Sequence, residues 1–313
     1  MNESDCLLTI ITAVYNGEDY IKETIDSVLE NALNVDFEYL VINDGSTDKT
    51  RELIESFGSK IKVINKENSG ESATLTMGFE LAGGEFILVV SADDPLFTPR
   101  IFENIFEKFD EEKDIVAIYP DWRMIDKNGS LIKTIKVNEF SDELLVGRCQ
   151  TLPGPGTIFR AETAREIGGR RSKWRFVGDY DFWLRLSRKG KIQHRSEVLA
   201  QWRFHADSTS INLRGPEMAR ERIEVIEEFL EHNEVPKKIS RRALGNAYYM
   251  ASRLVFFNRA VPGRKYLFNA FQFRKSWIEE SRIHIILYVA FLPLSAFIYR
   301  LIKRVLPAPG TLK

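Results

Sequence analysis

Five short apolar runs, separated by polar loops and amphipathic stretches, constrain this chain more than any other feature. Residues 7–14, LLTIITAV, are β-branched and apolar without alternation. Such a run suits a strand covered on both faces, as in a parallel sheet. Four more follow at 38–43 (EYLVIN), 61–65 (IKVIN), 85–90 (EFILVV) and 115–119 (IVAIY). Between them the spacing is helical. Ile21, Ile25, Val28 and Leu29 share one face, and Leu53, Ile54 and Phe57 follow a cap at Ser46 or Thr47. A helix over 71–82 closes at Gly83-Gly84, and Ile101, Phe102, Ile105, Phe106 and Phe109 mark another. This alternation predicts an α/β fold with a mostly parallel, Rossmann-like sheet flanked by helices. Ligands of such sheets bind at the carboxyl ends of the strands. The loops there read Tyr15-Asn16-Gly17, Asn43-Asp44-Gly45-Ser46, Asn68-Ser69-Gly70 and Ser91-Ala92-Asp93-Asp94-Pro95.

Composition removes several classes. With 313 residues, 44% hydrophobic and 28% charged, the chain can build a large core. Two cysteines, Cys6 and Cys149, exclude a disulfide scaffold or a cysteine-rich zinc module and suit a reducing compartment. The apolar run Cys6–Val14 is short for a signal peptide and has no basic flank. The first loop, TAVYNGEDY, is acidic with one glycine. It lacks the basic, glycine-rich phosphate loop expected of a sugar nucleotidyltransferase. It also lacks the G-x-G-x-x-G of a dinucleotide oxidoreductase.

Four places carry chemistry. Asp93 and Asp94 close a buried strand, which suits a hard divalent cation and equally suits a polar strand end turning at Asp94-Pro95. Asp44 can accept from a base N–H, or serve an Asp-Gly turn. Asp179 and Asp181 lie at a predicted helix start, where a carboxylate can take an alcohol proton or complement the helix dipole. His205, one of four histidines, suits a metal or phosphate role, or the surface.

In order and spacing, TIITAVYNGEDYIKETIDSVL, EYLVINDGSTDKT, NKENSGESATLTMGFELAGGEFILVVSADDPL and GDYDFWLRL resemble glycosyltransferase family 2 over residues 7–210. The resemblance implies an inverting, nucleotide-sugar-dependent enzyme of GT-A fold, with a UDP-sugar favoured as donor. It implies that Thr12, Ala13, Tyr15, Asp44, Ser69, Ser91 and Ala92 bind the nucleotide. Asp93, with His205, would hold Mn²⁺ or Mg²⁺. Asp179 would be the catalytic base, and Pro155, Gly156, Thr157 and Trp183 would meet the acceptor. There are three departures from the family pattern. Ser91 replaces the first aspartate of the Asp-x-Asp motif, Gly178 replaces the glutamate before Asp179, and Leu75 stands where a basic residue is expected. A degenerate, non-catalytic membrane-associated scaffold or binding protein is the alternative these departures support, and a sugar nucleotidyltransferase stands as the other alternative, with the acidic first loop counting against it.

Charge divides the chain. Residues 235–313 hold 15 Lys and Arg against 2 Asp and Glu, and thirteen aromatics. The first 234 hold 29 basic and 43 acidic residues. A basic, aromatic segment suits an anionic membrane surface. The run 285–299 is apolar but shorter than the roughly 20 residues of a spanning helix. With Pro293 inside it, a helix at 283–302 is expected to lie on the membrane, or to make a short spanning or re-entrant segment. The expected organisation is a transferase domain over 1–212, with a nucleotide half at 1–120 and an acceptor half at 121–212. A helical, membrane-associated extension covers 213–313. The expected partners are a nucleotide-sugar donor, a glycan or lipid-linked acceptor and the cytoplasmic face of a membrane. No nucleic-acid motif is present, and an oligomer is compatible with the sequence.

Overall fold

The computed structural model describes residues 6–32, 34–205, 215–256 and 262–273. Eight strands form one sheet: β1 (Leu8–Val14), β2 (Phe37–Asp44), β3 (Lys62–Lys66), β4 (Phe86–Val89), β5 (Ile115–Ile125), β6 (Leu131–Ile135), β7 (Ile158–Arg160) and β8 (Lys191–Arg203). Their order is β3-β2-β1-β4-β7-β5-β6, with β8 on β5. The first four are mutually parallel, so their carboxyl ends share one edge. β7 enters antiparallel to β4, and β5 antiparallel to β7. β7 and then β6 occupy one edge of β5, while β8 runs parallel along the other.

Strand alternation sorts the apolar residues into two layers. Ile10 and Val14 pack with Ile21 and Ile25 of α1 (Ile21–Asn31) and with Phe86 and Phe109. Ile11 and Leu40 face Leu75 and Phe79 of α3 (Glu71–Leu81) on the other side. That second layer continues through α5 (Ala161–Glu166) and α6 (Gly178–Leu186) to α7 (Gly215–His232) and α8 (Lys237–Phe256). α8 contributes Ala243, Ala247, Ala251 and Val255, one residue per turn, to the core that holds Leu145, Val146 and Ile226. The alanines let the helix approach closely, and Asn246 Nδ2 donates to Gly147 O at 2.5 Å. The first helix of the basic segment is therefore continuous with the domain core. Among the described residues no helix is long and apolar enough to cross a membrane. The stretch 283–302 lies outside them.

Local details depart from the sequence expectations. α2 (Thr50–Glu55) starts later than a Ser46 or Thr47 cap would place it, and Asp48 Oδ1 accepts from Thr50 N–H at 3.0 Å. α3 does not end on a left-handed glycine. Ala82 is extended, and Gly84 is glycine because a Cβ would lie 2.6 Å from Thr9 N. The helix expected over 101–109 is broken at Asn104, whose φ of 56° separates a 3-10 turn at Pro99–Phe102 from α4 (Ile105–Glu111).

Candidate active site

Asp44 is the last residue of β2, with a side chain 4% exposed. Its carboxylate pairs with Lys66 and accepts from the N–H of Ser69 at 2.9 Å and of Gly70 at 2.8 Å. Burial pushes its pKa up, but the Lys66 ammonium and these N–H groups outweigh it, and the group sits below its ordinary value. Lys66 also donates to Ser69 Oγ at 2.6 Å. Gly45, at φ +74°, admits the loop because a Cβ would lie 2.8 Å from Asn68 N. Asp44 thus clamps the turn that begins α3. Lys66 was not singled out in the sequence, yet it is the register partner of Asp44 on the neighbouring strand.

β1 delivers Ala13 and Tyr15 to the same edge, and Tyr15 is 53% exposed. Thr12 is fully buried, bonded to Val90 O at 2.8 Å and Tyr39 Oη at 2.9 Å, so it ties β1 to its neighbours rather than opening to solvent.

The loop after β4 holds the acidic pair. Asp94 is buried and accepts from Arg203 N–H at 2.7 Å. Burial and the neighbouring Asp93 charge push its carboxyl well above the usual range. Asp93 is half-buried, and its Oδ2 lies 2.8 Å from His205 Nε2. The His205 ring packs against Tyr20 with centroids 5.1 Å apart. Arg203, 1% exposed, anchors the arrangement. It donates to Asp93 O at 2.8 Å, Lys127 O at 3.0 Å and Glu23 Oε2 at 2.7 Å. Ser91 is exposed beside this pair, and Ala92 O accepts from Thr24 Oγ1.

Of this pair, the Asp93 carboxylate is the donor that suits Mn²⁺ or Mg²⁺, both of which favour oxygen ligands, while the His205 imidazole suits softer divalent metals better than Mg²⁺. Among the described residues no group of three or more His, Cys, Asp or Glu is placed to hold a metal ion. The remaining positions around an ion would fall to water or to ligand phosphate oxygens.

Asp179 is exposed at the second position of α6, where its Oδ1 accepts from Tyr180 N–H at 2.7 Å. Asp181, two residues on, is buried and ion-paired with Arg171 and Arg185. The two aspartates thus divide into an available carboxylate and a structural one. Gly178 precedes Asp179 and packs against α3, where a Cβ would lie 2.6 Å from Ser72 Oγ. The contact is with a hydroxyl that can rotate away, so it does not by itself require glycine, but it sets Asp179 beside the helix that Asp44 clamps.

Pro155 and Gly156 line a narrow cavity with Ser91, Asp94 and Gln201. Thr157 Oγ1 donates to Gly154 O at 2.6 Å, closing the turn. Trp183 is not brought to the site. It is 6% exposed, edge-on to Phe159 and Phe182 in the core.

A partly parallel sheet with a polar, acidic carboxyl edge and an antiparallel second half is a GT-A fold. The family model described as Glycosyl transferase family 2 matches residues 9–159. An "uncharacterized glycosyltransferase" of Haemophilus influenzae is 30% identical over 261 residues, spanning 78% of this chain and 74% of that one. A second, from Rickettsia felis, is 32% identical over 214 residues, 65% of this chain and 35% of that protein. Against the Rickettsia relatives the chain spans between 35% and 66% of their length. Among solved structures, Staphylococcus aureus TarS residues 1–349 in complex with UDP-GlcNAc superposes with a TM-score of 0.67 at 17% identity, covering 85% of this chain and 80% of that one. The mannosyltransferase PcManGT of Pyrobaculum calidifontis, in complex with GDP-Man and Mn²⁺, gives 0.53 at 13% identity, covering 87% and 88%. The chain belongs to glycosyltransferase family 2.

Proposed function

We propose that the protein transfers a sugar from a nucleoside-diphosphate sugar, with UDP-sugar favoured, to an acceptor hydroxyl with inversion. The observation that carries this reading is the Asp93–His205 pair, 2.8 Å apart where β4 and β8 end. Tyr15 and Ala13 flank the nucleotide, with Asp44 and Ser69 shaping the loop beside it and Ser91 and Ala92 near the ribose. Asp179 takes the proton of the acceptor hydroxyl, whose oxygen attacks the anomeric carbon on the face opposite the diphosphate. The bond to the diphosphate oxygen breaks and its electron pair leaves with the nucleoside diphosphate. Asp93 and His205 would hold Mn²⁺ or Mg²⁺, which when bound neutralises diphosphate charge. The complex of TarS with UDP-GlcNAc and that of PcManGT with Mn²⁺ support donor class and metal.

Residues 1–120 serve the donor and 121–212 the acceptor, where Pro155, Gly156 and Thr157 flank the acceptor pocket. Residues 213–313 bring the enzyme to the cytoplasmic face of an anionic membrane for a glycan or lipid-linked acceptor of envelope polysaccharide synthesis. Lys237, Lys238 and Arg241, exposed at the start of α8, support that orientation.

Thermal unfolding with UDP, GDP, TDP and CDP, with and without Mn²⁺, tests the reading. A ligand at a hundredfold excess over its Kd stabilises by roughly 2.7 kcal/mol. A Mn²⁺-dependent shift with one nucleotide, lost in Asp93→Ala, is the expected result. No shift with any nucleotide would sink the reading in favour of a non-catalytic scaffold.

A further inference from the structure

We propose that Trp122, Trp202 and Phe204 form the platform on which a sugar ring of the acceptor stacks, an inference that rests on the transferase reading above. The pleat of β5 and β8 sets the faces. Arg123, Gln201 and Arg203 turn toward α1, since Arg123 lies 3.6 Å over the Phe97 ring and Arg203 reaches Glu23. Trp122, Trp202 and Phe204 alternate with them, so they lie on the opposite face, the one that carries α3 and α6 with Asp179.

The rings form a continuous surface. Trp122 and Trp202 meet edge to face at 6.1 Å, and so do Trp202 and Phe204. Phe204 is 45% exposed although it directly precedes His205, and both tryptophans are half-buried. An exposed aromatic patch at the lip of a reaction centre marks a ligand surface. The loop of Pro155 and Gly156 runs beside it. Gly154 there has no side chain to cover the indole, since its Cβ would lie 3.5 Å from Trp122 Nε1.

The chemistry selects the occupant. Among the described residues neither indole N–H has a protein partner. A pyranose offers an apolar C–H face to the rings and hydroxyls to those N–H groups. A hydrocarbon chain would strip water from both donors and return nothing, at a cost in affinity. The platform takes the part that Trp183, buried in the core, cannot play.

Saturation-transfer NMR on the full chain with UDP and Mn²⁺ tests this. The probes are cellobiose, lactose, N,N′-diacetylchitobiose and octyl glucoside. At least one disaccharide should show transfer to its ring C–H protons. Its affinity should fall about tenfold in Phe204→Ala and in Trp122→Ala. UDP affinity should stay within about twofold. Phe204 is exposed, so its variant keeps the test open should Trp122→Ala unfold. Binding of no disaccharide, binding unchanged in both variants, or saturation of the octyl chain alone would overturn the platform. Failure of the wild type to bind UDP, with saccharide still bound, would overturn the transferase reading and leave the platform standing.

Discussion

The carboxylate of Asp94 accepts the backbone N–H of Arg203 at 2.7 Å, tying the loop after β4 to the end of β8 across 109 positions of sequence. The Arg203 side chain returns the link by donating to Asp93 O. His205 therefore reaches Asp93 because the intervening strand is pinned. Replacing the guanidinium by an apolar side chain, as in Arg203→Met, strands the carbonyls of Asp93 and Lys127. We expect a loss of about 2–4 kcal/mol in urea unfolding. Arg203→Lys should recover only part, because one ammonium cannot span the same acceptors. A Met variant within about 0.5 kcal/mol of wild type would refute the account.

Asp44 makes stability depend on pH in a fixed direction. Its folded pKa is lowered, so the folded state binds fewer protons than the unfolded one near the ordinary value of 3.8. Its contribution is complete above that value and is lost as pH falls through the lowered one. The stability gap between wild type and Asp44→Asn should be widest near neutral pH and shrink as pH falls below the ordinary carboxylate value of 3.8. Guanidinium titrations at several pH values read it directly. A gap that widens on acidification would contradict the Lys66 clamp.

β1, β2 and β4 were legible because both their faces are largely buried, which leaves uninterrupted apolar runs, and the edge strand β3, with no residue fully buried, was legible only from its short run of Ile61, Val63 and Ile64. β8 was not. Its sequence KIQHRSEVLAQWR carries polar side chains whose partners are distant, such as His194 on Asp121 and Arg195 on Glu103 O. Asp93 and His205 stood out singly, each by residue type at a strand end or in an aromatic segment. Lys66 and Arg203 did not, since nothing local separates a buried, bonded cation from a surface one. Trp183 misled because an aromatic beside an acidic helix start looks the same whether it turns inward or outward.

Gly156 should be intolerant of substitution, and Gly154 tolerant. Gly156 sits at φ +77°, and a Cβ there would lie 2.6 Å from Ala200 Cβ and 2.9 Å from Ile101 Cδ1. Gly156→Ala should cost about 1–3 kcal/mol through strain and overpacking. Gly154→Ala meets only an ordinary contact with Trp122 and should fall within about 0.5 kcal/mol of wild type. Melting curves of the two proteins, compared side by side, decide it. Equal losses would mean that the turn, rather than the packing against β8, sets the requirement.

Asp179 and Asp181 should separate activity from stability. Asp179 is exposed and bound only by the Tyr180 N–H among the described residues, so Asp179→Asn should melt close to wild type. As the base, it should cost transfer about 10²–10⁴-fold while UDP affinity holds. Asp181 is buried between Arg171 and Arg185. Asp181→Asn leaves Arg185 without its anion and Arg171 with Glu228 alone, and should destabilise by about 2–4 kcal/mol. Its remaining folded fraction should still turn over, because the Asp179 carboxylate is intact. The measurements are turnover per folded molecule and urea midpoint for both proteins. Near-normal transfer by Asp179→Asn would remove it as the base, and the proton would then need another acceptor at the start of α6.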